Sequence, residues 1–287
     1  MACTRPIYAL DLGVKENGKR NIKLLPRRTD MYSMAQLESR YGNGNIIPLP
    51  CGKCLACRKS KAREWAARCV LEATEYEDNC FITLTYDEKF YSPSKVGLKT
   101  DLTNFFKRLR KDYEYRYYAV CERGTEKGRY HFHALLFGCD LTKQQLEKYW
   151  KFGFVDVGSL SVGSCFYVCQ YAEKKVFGKD DPLTFTTMST HPGLGYSWLQ
   201  KHMDVVKYGS VHGSFGQTSV PRYFEKIFAL VNEDDLQEIK SDKLDKAKAK
   251  QLHEMLIHGL DRVEKLQSYQ ESIDLHNFMN KKRRADL

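Results

Sequence analysis

The sequence lacks any long apolar run. Its first residues, from Met1 to Pro6, do not supply the apolar core of a signal peptide, and no later segment stays apolar over the roughly 20 residues that a membrane span needs. Because no secretory route is indicated, the ten cysteines are expected to be reduced thiols or metal ligands rather than a disulfide framework. We therefore expect a cytoplasmic protein with no membrane partner.

Acidic residues are in the minority. The chain has 46 Lys and Arg against 36 Asp and Glu, which gives a formal charge of +10. This balance favours a polyanionic partner, because neutralising phosphates releases counterions and drives binding. A basic protein that is merely well solvated would have the same composition, so charge alone leaves the partner open. The length of 287 residues, without internal repeats, allows a sizeable core in one domain with appendages or in two small domains.

Strand and helix patterns alternate through the middle of the chain. A polar, glycine-containing turn at 123–129 separates two strand patterns, which are therefore predicted to be antiparallel neighbours. The predicted fold class is α+β, a central antiparallel sheet flanked by helices. The predicted strands are 80–86, 115–122, 130–137 and 153–158, and the predicted helices follow Cys57 and cover 99–112, 143–150 and 165–177.

The remaining segments are less regular. Residues 1–50 are expected to be irregular and only partly ordered, 182–220 to be mostly loops, and the chain to be helical again from 222. We predict an N-terminal extension with a cysteine cluster (1–60), a central domain (61–225) and a charged helical C-terminal region (226–287).

His131-Phe132-His133 lies inside the strand pattern of 130–137. Side chains alternate along a strand, so the two imidazoles share one face while Phe132 belongs to the opposite layer. Glu122 ends the neighbouring strand, where its carboxylate could meet them. Two imidazoles and a carboxylate make half a coordination sphere with open positions, which predicts a divalent metal site for Mg²⁺ or Mn²⁺ if the substrate is a phosphate, although imidazoles also suit Zn²⁺. The alternative is that both histidines are hydrogen-bonded sheet residues without a ligand role.

The predicted helix at 165–177 has two different sides. Phe166, Cys169, Ala172 and Val176 form a core stripe. The opposite side carries Tyr167, Tyr171 and Lys174, at positions i, i+4 and i+7.

Because the core stripe is already occupied, we interpret the tyrosine side as a working surface rather than as packing. A phenol has a pKa of about 10 and is a poor nucleophile at neutral pH. A metal ion on the phosphodiester and a nearby lysine that favours phenolate would correct this.

Cys51, Cys54 and Cys57 are spaced as in a zinc knuckle. A structural zinc site needs four ligands, and no second pair with standard spacing follows. Cys69, Cys80 or Cys3 could complete the set if the fold brought one of them close. The alternative is that the three are small buried apolar residues at the start of a helix.

Three motifs in this order resemble those of HUH rolling-circle replication initiators: Phe81-Ile82-Thr83-Leu84-Thr85, His131-Phe132-His133, and the Tyr167, Tyr171, Lys174 pattern. More narrowly, the chain is similar to the replication initiators of small circular single-stranded DNA phages of the gokushovirus type. The segments 50–57, 121–124 and 221–223 also fit that group. The resemblance covers most of 50–225, and the order of the motifs is more specific than any one of them.

The resemblance implies a metal-dependent DNA endonuclease and strand transferase. It would recognise a phage origin in the cytoplasm of a bacterial host, cut one strand, and stay joined to the 5′ phosphate through tyrosine. The free 3′-hydroxyl would be extended by the host replication machinery. Carried over to this sequence, His131, His133 and Glu122 are metal ligands, Tyr167 and Tyr171 are nucleophiles, and Lys174 is the assisting cation. The strand at 81–85 is structural in the family.

Two other functions remain open at this point. A plasmid or transposon HUH nickase would use the same chemistry, although this chain is too short to carry an added helicase. A noncatalytic, zinc-stabilised DNA-binding regulator would use the charge for affinity and aromatic residues for stacking on unpaired bases, with His131 and His133 as structural residues.

Overall fold

The computed structural model of the protein describes residues 3, 6–15, 20–26, 34–41, 46–91, 93–124, 128–170 and 183–258. The chain divides into two compact units, with a break between Ser60 and Lys61. Each unit has its own sheet.

The small unit contains a three-stranded antiparallel sheet in the order β2-β1-β3. Its buried cluster consists of Leu25, Leu37 and Ile46. The prediction that 1–50 is irregular is therefore wrong for the described part of this segment. The strands are short and Ile7 pairs with Leu49, so the sheet depends on a distant partner rather than on a local pattern. Its elements are β1 (Ile7–Val14), β2 (Arg20–Leu24), α1 (Met34–Tyr41) and β3 (Ile46–Leu49).

The large unit is built on a five-stranded antiparallel sheet in the order β7-β4-β6-β5-β8. The predicted α+β class with a central antiparallel sheet is thus confirmed. Its strands are β4 (Asn79–Tyr86), β5 (Arg116–Arg123), β6 (Tyr130–Phe137), β7 (Gly153–Ser159) and β8 (Phe185–Met188). Its helices are α2 (Leu55–Ala73, which starts before the break), α3 (Lys95–Leu109), α4 (Lys143–Glu147), α5 (Val162–Cys169), α6 (Tyr196–Lys201), α7 (Val205–Tyr208), α8 (Arg222–Ala229) and α9 (Glu233–His258), and a hairpin of β9 (Ser210–Gly213) and β10 (Gly216–Ser219) completes the unit.

Helices cover both faces of this sheet. On one face, alternate strand residues such as Leu84 and Phe132 pack with Leu102 and Phe105 of α3. The other face packs against α2 and α5. Buried residues of that layer are Ala66, Cys69, Val120, Leu135, Cys165 and Val168. Phe132 therefore lies in the opposite layer from the two histidines beside it, as the strand period predicts.

The hairpin of β5 and β6 is the best-predicted element of the fold. Its strands pair directly, with Glu122 opposite His131 and Val120 opposite His133. The segment 182–220 was predicted to be mostly loops, which is wrong in part. It contains β8, two short helices and a hairpin, all of four to six residues. Elements of this length form because neighbours pair with them, so their sequence period is too short to detect.

Helix α5 begins earlier than predicted, at Val162, because Ser161 and Ser164 form a capping box. Its buried side consists of Cys165, Val168 and Cys169, while the predicted stripe residue Phe166 is half-buried. Residues 171–182 lie outside the described part of the chain, and with them the rest of the predicted helix. None of the described helices combines the length and the apolar character that a membrane crossing requires.

Candidate metal centre

Three donor side chains converge at one end of the β5–β6 hairpin. Glu122 Oε1 lies 3.0 Å from His131 Nε2 and 3.7 Å from His133 Nε2. Direct pairing of Glu122 with His131, and the two-residue period that puts His133 on the same face, explain the convergence. The structure therefore brings together the three residues that the sequence predicted as ligands.

Neighbouring residues set the orientation of both imidazoles. Thr83 of β4 pairs with His133, and its Oγ1 lies 3.0 Å from Nδ1 of that ring, which leaves Nε2 facing Glu122. Gly124 leaves space for the other ring, since a Cβ at this position would lie 3.3 Å from His131 Cε1. Contacts of this kind fix the tautomer and direction of a metal-binding histidine.

The group fits a divalent cation. One donor atom from each side chain can be chosen such that all three lie within 4.8 Å of one another. The side chains of His131, Glu122 and His133 are 17%, 11% and 7% exposed, so the group is sheltered but still reaches solvent. Two imidazole nitrogens and one carboxylate oxygen leave coordination positions for water or a phosphate oxygen.

Tyr167 lies beside this group. Its ring centroid is 5.3 Å from that of His133 and 6.2 Å from that of Phe81, edge-on in both cases. Phe81 also stacks on His133 at 5.6 Å. Tyr167 is nevertheless 47% exposed, so the phenol is both held by rings and open to a substrate. The other predicted residues of this surface, Tyr171 and Lys174, lie outside the described residues.

Other tyrosines on the sheet are chemically different. Tyr86 and Tyr118 are buried, and burial raises the pKa of both phenols above the ordinary value. Asp101 accepts a hydrogen bond from Tyr86, which raises its pKa further. Since desolvation disfavours phenolate, neither is suited to nucleophilic attack.

A second group of donors lies in the small unit. Cys51, Cys54 and Cys57 are joined there by Cys3, and one Sγ from each lies within 4.8 Å of the others. Cys69 and Cys80, the other two candidates for a fourth ligand, are buried in the apolar layers of the sheet. This group could also hold a metal ion.

Sequence reasoning did not assign roles to Thr83 and Phe81, which it treated as parts of a structural strand. A signal for Thr83 was present: β4 alternates apolar residues with Thr83 and Thr85, which places both threonines on the face of the imidazoles. The contact of Phe81 with Tyr167 depends on how α5 packs, and the strand pattern contains no information on that.

Known proteins share this arrangement of sequence. The sequence model of a family described as replication-associated protein ORF2 matches residues 79–176, which include β4 to α5. Replication-associated protein ORF4 of Chlamydia phage 1 is 32% identical over 228 residues, which cover 66% of this chain and 55% of that protein. Replication-associated protein ORF2 of Spiroplasma virus 4 is 28% identical over 264 residues, covering 79% of this chain and 80% of that protein.

The chain is a relative of phage replication-associated proteins. Replication-associated protein VP4 of Bdellovibrio phage phiMH2K is also similar, with 29% identity over 89% of this chain and 85% of that protein. The predicted resemblance is thus confirmed. The match spans little more than half the length of the Chlamydia phage relative. No solved structure matches the chain.

Proposed function

We propose that this chain nicks and rejoins one DNA strand at the origin of a circular single-stranded phage genome and so initiates rolling-circle replication. The contact of the half-exposed Tyr167 with His133 of the metal-binding group carries the proposal. The formal charge of +10 favours DNA as the partner, and the relatives' names say that those proteins are associated with replication. The catalytic domain in this proposal is 61–225, acting in the cytoplasm of a bacterial host.

Tyr167 is the proposed nucleophile, with Tyr171 as the second. The phenol oxygen bonds to phosphorus, the bond from phosphorus to O3′ breaks, the phenol proton passes to water and O3′ takes up a proton. One DNA end is then a 5′-phosphotyrosyl ester and the other a 3′-hydroxyl that the host polymerase can extend. Because the ester conserves the energy of the broken bond, a 3′-hydroxyl can later displace tyrosine without a nucleotide cofactor.

The side chains around Tyr167 have separate roles. A Mg²⁺ or Mn²⁺ ion held by Glu122, His131 and His133 would withdraw charge from the phosphoryl oxygens. Phe81 and the ring of His133 limit the rotation of Tyr167 and keep its oxygen near the scissile phosphate. Lys174 is assigned to favouring phenolate and stabilising the pentavalent transition state.

A covalent adduct is the decisive test. The full chain is incubated with Mn²⁺ and a pool of 3′-labelled single DNA strands, then denatured in SDS. We expect a labelled adduct that resists SDS and whose DNA end, when sequenced, identifies the origin. Replacing both tyrosines (Tyr167→Phe with Tyr171→Phe) should abolish the adduct but leave DNA binding intact, whereas Tyr208→Phe, at a tyrosine that is 75% exposed on α7, should retain it.

The competing functions give different results in the same experiment. A noncatalytic regulator would give only a salt-sensitive complex with no adduct. A plasmid or transposon nickase would give an adduct with the end of a different origin. An adduct that persists in the double tyrosine variant would move the nucleophile to another residue.

A further inference from the structure

The four-thiol group of the small unit has no place in the proposed nicking reaction. It consists of Cys3, Cys51, Cys54 and Cys57, and Cys3 is separated from Cys51 by 48 positions. Convergence of a distant cysteine on a Cys-x-x-Cys-x-x-Cys segment requires the chain to return to one point. A shared ligand is the simplest chemical reason for such a return.

The distances between the sulfur atoms match a tetrahedral thiolate site. Cys54 Sγ lies 3.7 Å from Cys3 Sγ, and Cys51 Sγ lies 3.9 Å from Cys57 Sγ. A zinc ion with four sulfurs at about 2.3 Å has tetrahedral edges of about 3.8 Å. Disulfides have sulfur atoms only about 2.05 Å apart, so neither of these pairs is bonded.

The backbone of this segment is arranged to stabilise negative sulfur. The amide nitrogens of Lys53 and Cys54 lie 3.4 and 3.2 Å from Cys51 Sγ and donate to it. The amide of Cys51 in turn donates to Cys3 Sγ at 3.3 Å. Gly52 has a φ of +71°, a left-handed conformation that lets the turn direct these amides at sulfur. Amide donors of this kind lie around thiolate ligands and hold them in position.

The small unit also needs a stabilising link. Its buried apolar cluster comprises three residues among those described, Leu25, Leu37 and Ile46. A unit of about 60 residues with so small a core is marginal unless a metal ion, disulfides or a partner supplement it. A structural zinc ion provides this, because its binding energy contributes directly to folding.

We propose that Cys3, Cys51, Cys54 and Cys57 bind one Zn²⁺ ion in a closed tetrahedral site that stabilises the small unit. Four thiolates fill the coordination sphere, so the site has no open position for a substrate. It is therefore structural and independent of the Glu122, His131 and His133 group.

Metal analysis of the purified full chain tests this. We expect about one zinc ion per chain in the wild-type protein. Cys3→Ser and Cys57→Ser should each lose it, whereas Cys139→Ala, at a buried cysteine of the large unit, should keep it. The double variant His131→Ala with His133→Ala should also keep it, which separates the thiol site from the imidazole site.

A spectroscopic measurement covers the case in which the serine variants fail to fold. The wild-type chain, purified with Co²⁺ in place of zinc, should show intense visible bands of tetrahedral cobalt and a near-ultraviolet sulfur-to-cobalt charge-transfer band. Alkylation followed by mass spectrometry should find these four cysteines protected until a chelator is added. Zinc retained in Cys57→Ser, absence of the charge-transfer band, or a mass lower by the two hydrogens of a disulfide would each overturn the proposal.

Discussion

The two donor groups of this chain differ in every property that separates catalytic from structural metal sites. The Glu122, His131 and His133 group has three donors of mixed type on a rigid sheet, reaches solvent, and leaves coordination positions open. The four-thiol group has soft donors only, from a turn and a distant residue, and enough of them to close a tetrahedron. Chemistry and stability are therefore separable in this protein, and each can be removed by itself.

The cores of the two units differ in the same sense. The large unit has three buried apolar clusters, two of them on opposite faces of its five-stranded sheet. The described part of the small unit has one cluster of three buried residues beside its sheet. Where apolar burial is extensive, polar donors are available for function, and where it is sparse the thiols supply stability.

Loss of the imidazoles should have the largest effect. His131→Ala with His133→Ala should lower the rate of adduct formation by at least about 10³-fold, on the scale of a removed transition-state stabiliser. Added Mn²⁺ should not restore the rate, because two of three ligands are gone. The zinc content should stay unchanged. Wild-type rates in this variant, measured from the adduct yield over time, would remove the ligand role.

Metal removal should separate the two groups reversibly. A short treatment with EDTA should stop nicking, and added Mn²⁺ should restore it, because a site with three protein ligands exchanges its ion readily. The thiol site should keep its zinc over the same period, since four thiolates hold it without open positions. Zinc release can be followed with a chromophoric chelator, and nicking that persists in EDTA would contradict a metal role.

An intermediate effect is expected at Thr83. Thr83→Val keeps the shape of the side chain but removes the hydroxyl that holds Nδ1 of His133. Loss of such a partner should weaken Mn²⁺ affinity by roughly 10–100-fold, with the nicking rate recovered at saturating Mn²⁺. Thr83→Ser retains the hydroxyl and serves as the control. Equal Mn²⁺ titrations for the valine variant and the wild type would show that this contact does not orient the ring.

The smallest effect is expected at Gly124. A Cβ there would lie 3.3 Å from His131 Cε1, so Gly124→Ala should shift the imidazole slightly and weaken Mn²⁺ binding a few-fold. Gly158→Ala is the matched control, since its Cβ would make an ordinary contact of 3.7 Å with Phe81. A loss in the control equal to that in Gly124→Ala would point to general strain in the sheet rather than to the metal centre.

Local patterns predicted the part of the site that is local in sequence. Glu122 and His131 are nine positions apart across one turn, so the strand period and hairpin pairing were enough to bring them together. The resemblance to phage proteins added Tyr167, whose position beside His133 depends on the packing of α5 on the sheet. Its role as nucleophile stays a prediction, as do those of Tyr171 and Lys174.

Distant partners were the part that the sequence did not predict. Cys3 was one of three candidates for the fourth thiol, because spacing holds no information on a ligand 48 positions away. The sheet of the small unit was missed for the same reason, since β1 pairs with β3 from the far end of the segment. Strand β8 has only four residues and is defined by its pairing with β5, so its period was too short to detect.

The position of β6 at the centre of the sheet has a consequence for how the imidazoles bind a cation. Both edges of this strand are hydrogen-bonded, to β4 on one side and β5 on the other. The amide hydrogens of His131 and His133 should therefore exchange with deuterium only when the whole sheet opens. The spacing of the nitrogen donors is set when the protein folds, and no loop has to lose entropy when the ion arrives.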